Sequence, residues 1–172
     1  MFIYSCSSPA VDKRPYVYLT DHSKYILLSP DGIEKPLDMA QRISALYNGQ
    51  SFYFSSWVMA DENGIDISFL NEFGAAIADI SYKNGTAGFS SAVFPKSFKP
   101  EYMIADFQLC FYEQDLVRRA LKESGLVLET QDSFRRVYSG KKLIIEIEKN
   151  PDTVKLVNHL RGYSYTLEGD FL

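Results

Sequence analysis

Apolar and polar residues alternate along most of this chain, and the alternation comes in short blocks separated by turn-forming residues. Ser51 to Ala60 alternates and is strongly aromatic. Asp61-Glu62-Asn63-Gly64 then turns the chain, and Ile65, Ile67 and Phe69 fall on one face of the next block. After Asn71 to Gly74, the block Ala75 to Lys83 leads to Asn84-Gly85 and a return over Thr86 to Phe94. Asn-Gly is the strongest short hairpin signal, because a type I′ turn needs positive φ at both central residues. Together these blocks predict an antiparallel meander with short connections.

The pattern on either side is consistent with this. Residues 15–19 and 25–28 predict two short strands, with turn chemistry at Ser29-Pro30-Asp31-Gly32. Pro36 to Leu46 places Leu37, Ile43 and Leu46 on one side and predicts a helix that stops at Asn48-Gly49. Pro95 to Pro100 breaks the meander. From Tyr102 to about Gly125 the apolar spacing changes to a helical period, predicting one or two helices. Strand blocks resume at 126–129, 134–138, 143–148, 154–160 and 163–168. About ten strands exceed what a flat sheet holds easily, so curling is expected. The fold class expected is α+β, mainly β: a curved antiparallel half-barrel with a helical lid on its concave side. Residues 1–14 read as a signal remnant and linker, and 15–172 as a single domain.

Composition narrows the function classes. With 172 residues the chain is long enough for a substantial core. A net charge of −4 argues against nucleic acid as a partner. No run approaches the roughly 20 apolar residues of a membrane-spanning helix. Candidate chemistry is sparse. There is no Gly-x-Ser-x-Gly elbow and no phosphate-cradling glycine loop. His22 and His159 lack ligand partners at metal spacing, so no metal and no cofactor is expected. Residues 61–66 lack the terminal glutamate of a calcium loop and read as a hairpin turn. Glu146 and Glu148 alternate with apolar residues, and Arg118-Arg119 and Arg135-Arg136 read as solvated side chains. Without a nucleophile–base pair, a non-enzymatic role is expected.

What the chain does carry is apolar bulk. Phe52, Phe54, Trp57, Val58 and Met59 crowd one strand. Each is explained by core filling, and the sheet as a whole by a concave apolar site. Residues two apart on strands and three or four apart on helices share a face. The expected ligand-binding wall therefore combines Phe54, Val58, Ile67 and Phe69 with Ile104, Phe107 and Phe111. Cys110, between Leu109 and Phe111, reads as a buried thiol.

Two stretches carry resemblances. Ile3-Tyr4-Ser5-Cys6 resembles the end of a bacterial lipoprotein signal, with Cys6 as the lipidated residue. By the same resemblance, the serine that follows implies the periplasmic face of the outer membrane. Ala105-Asp106-Phe107-Gln108-Leu109 before Phe111-Tyr112, with the meander and the closing strands, resembles a family of small bacterial lipoproteins. That family is similar in layout to the outer-membrane lipoprotein carriers and receptors, the LolA/LolB group. It often has Trp-Pro where this chain has Tyr112-Glu113, which implies one helix running on. The resemblance implies an open barrel, a lipidic or acyl ligand of the aryl-polyene kind, and a periplasmic carrier protein as partner. It carries over no catalytic residue. The resulting expectation is a lipid-anchored cell-envelope protein that binds or passes on a lipid; the alternative is a non-catalytic scaffold with a packed core.

Overall fold

The computed structural model describes residues 14–171; Cys6 and its neighbours lie outside them. Twelve strands and two α-helices follow in the order β1 (Tyr16–Tyr18), β2 (Lys24–Ile26), β3 (Leu37–Tyr47), β4 (Gln50–Asp61), β5 (Gly64–Leu70), β6 (Ala76–Lys83), β7 (Thr86–Ser91), α1 (Pro100–Phe111), α2 (Gln114–Glu123), β8 (Val127–Gln131), β9 (Phe134–Ser139), β10 (Lys142–Lys149), β11 (Thr153–Asn158) and β12 (Tyr163–Glu168). A short 3₁₀ turn, Pro30–Gly32, precedes β3.

Ten strands form one antiparallel sheet in the order β7-β6-β5-β4-β3-β12-β11-β10-β9-β8, and β1 pairs with β2 separately. The two meanders expected from the alternation are thus joined through β3 and β12, where Tyr47 opposes Tyr163 and Ile43 opposes Leu167. The predicted half-barrel needs correction. The sheet is neither closed nor strongly curled, and β7 and β8 end it as separate edges. Helices tie these margins down where ladder bonds do not: α1 touches β1 and β7, and α2 touches β2 and β8.

The predicted helix over 36–46 is also overturned. Leu37–Tyr47 is an 11-residue strand paired with β4 along its whole length. Asn48 (φ 50°) and Gly49 (φ 75°) form the left-handed pair of a two-residue hairpin, as do Asn84 (51°) and Gly85 (70°). Asn48-Gly49 is therefore a hairpin turn and not a helix stop.

One face of the sheet is buried. Val58, Ala60, Ile65, Ile67, Phe69, Ala78, Ile80 and Tyr82 pack there with Ile145, Ile147, Val154 and Leu156. On the opposite face Trp57 and Met59 are exposed, and Trp57 Nε1 donates to Asp38 Oδ1 at 2.9 Å. The crowding of large groups on both faces of β4 is thus core on one side only.

Helix α1 has every residue from Ile104 to Phe111 buried, the signature of a helix covered all round. Pro100 suits its first turn, where no amide hydrogen is needed. The helix does not run on through Tyr112-Glu113. Tyr112 is extended and pairs with Ile33, Glu34 N donates to Phe111 O, and Glu113 N donates to Gly32 O. Gly32 is required there, since a Cβ would stand 2.7 Å from Tyr112 Cδ2. Helix α2 ends at Gly125 (φ 76°), where Leu126 N donates to Leu121 O and Gly125 N to Lys122 O. This is the Schellman arrangement, and it matches the predicted stop.

Candidate apolar site

Each of the seven predicted wall residues belongs to, or packs against, one hydrophobic cluster. Val58, Ile67, Phe69, Ile104, Phe107 and Phe111 are buried within it, and Phe54 is half-buried at its margin. Val58 and Ile67 oppose each other across β4 and β5. The ring contacts fall into two sets. Phe107 and Phe111 meet at a tilt with ring centres 4.8 Å apart, and Phe111 stacks on Phe171 at 5.6 Å. Phe54 meets Phe69 edge-on at 6.0 Å and Phe94 at 6.1 Å.

The second set reaches the surface. Phe52, exposed, stacks on Phe54 at 6.4 Å. Phe94 also contacts Phe69, Phe89 and Phe98. Phe94 and Phe98 sit on the 92–99 connection between β7 and α1, and Pro95, Lys96, Ser97 and Lys99 around them are exposed. An aromatic path thus runs from solvent at Phe52 to the core at Phe69, with the connection as its outer cover. Phe89, Phe94 and Phe98 are missing from the expected wall. Phe98 lies in the Pro95–Pro100 break, which has no period, and Phe89 and Phe94 lie in the 86–94 block, whose inward face is set by pairing with β6, where Phe89 opposes Ile80. Behind the path, Ser56 Oγ is buried on the same face of β4 as Phe54 and Val58 and has no hydrogen-bond partner.

The Ala105–Leu109 stretch has a different role. Gln108 is fully buried; its Nε2 donates to Leu28 O at 2.8 Å and its Oε1 accepts from Leu28 N at 2.9 Å. It fastens α1 to the segment after β2. Asp106, also buried, accepts from Tyr163 Oη at 2.7 Å, and Asn158 Nδ2 donates to the same hydroxyl at 3.2 Å. Burial pushes the Asp106 carboxyl up to about 7, against the opposing effects of the Tyr163 hydrogen bond and the Arg161 charge. Cys110, one turn on, has its thiol pushed up to about 12, chiefly by burial. It is the inert structural cysteine expected.

Arg135 corrects the reading of solvated arginines. It is buried, and its Nη1 donates to the carbonyls of Leu109 (3.0 Å), Cys110 (3.3 Å) and Tyr112 (2.9 Å). A guanidinium is thereby placed on the negative end of α1. Glu34 balances it, pairing with both Arg135 and Lys149 at 3.2 Å. Arg136 pairs with Glu146 at 2.6 Å, so that carboxylate is a salt-bridge partner.

No group of three or more His, Cys, Asp or Glu suited to a metal ion occurs among the described residues. Asp61 accepts from Asn63 N and Gly64 N, forming the hairpin turn expected at 61–66. Open depressions lie elsewhere, one beside Arg42, Asp152 and Glu168 and another beside Pro36, Asp38 and Asp61. Neither contains any of the seven wall residues.

These features define a mainly β protein: a ten-stranded antiparallel sheet with two helices on its apolar face, held by buried polar fasteners. The family profile "Protein of unknown function (DUF3261)" matches residues 38–169, and the chain belongs to that family. The match begins in β3 and ends just after β12, so it spans the whole ten-stranded sheet. No curated protein matches the chain.

Proposed function

We propose that this is a lipid-anchored cell-envelope protein that binds or passes on a lipidic or acyl ligand without covalent chemistry. The observation that carries this reading is the aromatic path from exposed Phe52 to buried Phe69 beneath the 92–99 connection. A packed core has no need to extend through successive ring contacts to an exposed Phe52. An acyl chain entering between Phe54 and Phe94 would replace ring–ring contacts with ring–chain contacts. It would lose water from its surface at roughly 25 cal/mol per Å². Helix α1 serves as a lid over the sheet face, and Ser56 Oγ gives a polar group of the ligand a partner inside the apolar wall. Lipidation at Cys6 holds the protein at the periplasmic face of the outer membrane, where a periplasmic carrier protein is its exchange partner.

The test is mass spectrometry of lipids that co-purify with the protein from its native envelope. An acyl-containing species near stoichiometric amount, lost in Phe54→Asp, is the expected result. Lipid-free folded protein contradicts the proposal and favours the alternative, a scaffold with a fully packed core. That alternative draws on the near-complete burial of Val58 (1%) and Ile104 (0%).

A further inference from the structure

Apart from Trp57 and Met59 on the outer face of β4, most of the exposed apolar side chains gather at one end of the sheet. Strand registers place the 48–49, 71–75, 140–141 and 159–162 turns at one end of the sheet, together with the 92–99 connection. That end carries Phe73 (85% exposed), Tyr53 (75%), Val93 (59%), Tyr47, Phe52 and Leu160. Single exposed apolar residues are ordinary, but several gathered on adjoining connections mark an interaction surface.

Charge shows what the surface faces. The turns and the connection at this end hold Lys96, Lys99, Lys141 and Arg161 against Glu72. At the opposite end the hairpin turns (62–63, 84–85, 132–133 and 150–152) hold Glu62, Asp132 and Asp152, and the 33–36 segment entering β3 adds Glu34 and Lys35, which leaves that end acidic. A chain of net charge −4 thus turns basic residues outward where its aromatics are exposed. Two copies meeting through this end would bring like charges together. An anionic lipid surface attracts lysines, and tyrosine rings settle at its headgroup level with their hydroxyls in water.

We infer that this end of the sheet docks on an anionic bilayer surface through Tyr53, Phe73 and Val93, flanked by Lys96 and Lys99. The inference rests on the cell-envelope reading and adds to it an orientation. The aromatic path opens at Phe52, on the same end, so docking aims its mouth at the lipid. Arg161 is held by the carbonyl of Tyr18 and the hydroxyl of Tyr102, which keeps the 159–162 turn in place beside α1.

The experiment uses the full chain carrying Cys6→Ser, so that no acyl anchor contributes. Flotation is measured with vesicles of phosphatidylethanolamine plus phosphatidylglycerol, and with phosphatidylcholine vesicles. The protein should float with the anionic vesicles and be released by salt. Lys96→Glu/Lys99→Glu should lower partitioning about tenfold or more. Tyr53→Ser/Phe73→Ser/Val93→Ser should lower it by a similar factor with circular dichroism unchanged, since these side chains are exposed. Absence of flotation, equal flotation of the variants, or concentration-dependent dimerisation lost in the triple variant each overturns the inference. Uptake of an acyl probe in the absence of vesicles is read separately, so failed docking is distinguishable from failed ligand binding.

Discussion

The hydroxyl of Tyr163 donates to Asp106 across 2.7 Å and thereby joins a buried carboxyl on α1 to the strand that unites the two halves of the sheet. Tyr165 and Cys110 lie on the same side, and Arg161 is the nearest opposing charge. The site lacks enough compensation to hold a full negative charge cheaply, so the carboxyl keeps its proton to about pH 7.

This makes stability depend on pH in a defined direction. The folded pKa is raised above the unfolded value, so the native state binds the extra proton between about pH 4 and pH 7. The stabilisation is fully present below about pH 4 and is lost as pH rises through about 7. Urea melts across this window should show the loss, of up to about 4 kcal/mol. Asp106→Asn should flatten the profile while still accepting the Tyr163 hydrogen bond. An unchanged profile in the variant would refute the assignment.

Gln108 should be hard to replace. Gln108→Leu removes both hydrogen bonds to Leu28 and leaves its amide and carbonyl to find other partners. A loss of about 2–4 kcal/mol in chemical denaturation is expected. Gln108→Glu should recover less than half of it at neutral pH, since a carboxylate cannot donate to Leu28 O.

Arg135→Met should destabilise by about 3 kcal/mol, because three carbonyls at the end of α1 lose their donor and Glu34 loses its buried partner. Amide exchange should rise first in residues 109–113. Uniform acceleration across the sheet would show that the arginine acts other than as a helix cap.

Much of this architecture could be read from alternation and turn chemistry. The strands of both meanders, the helical region, the Asn84-Gly85 turn and the Gly125 stop follow from local rules. Residues 37–46 did not, because their apolar positions fit both periods, and pairing with β4 and β12 decided between them. Asn48-Gly49 carries the same signal as Asn84-Gly85, but a helical period over 36–46 turns it into a helix stop, and only the pairing of β3 with β4 makes it a hairpin. The break at Tyr112 depends on Ile33 and Gly32, far away in sequence, so no local pattern announces it. The apolar wall was legible as a set of core faces. Its outlet through Phe89, Phe94 and Phe98 was not, since Phe94 and Phe98 come from the irregular connection beyond β7 and meet Phe89 of that strand only by tertiary contact.

Ser56 offers an opposite kind of prediction. Its hydroxyl is buried without a partner, so Ser56→Ala should leave the free protein as stable or up to about 1 kcal/mol more stable in thermal or urea melts. A marked loss of stability would mean that the hydroxyl is bonded in solution.

The most direct test of the lipid-handling account is titration of purified, delipidated protein with a fluorescent fatty acid. The account predicts saturable binding at micromolar Kd or tighter, a free energy of roughly 8 kcal/mol or more. Phe94→Ser, at the half-buried cover of the path, should weaken binding about tenfold while the fold persists by circular dichroism. Phe107→Asp places a charge against the acyl chain and should abolish binding; its melting curve separates that loss from unfolding. A folded wild type that binds no acyl probe contradicts the account and leaves the packed scaffold.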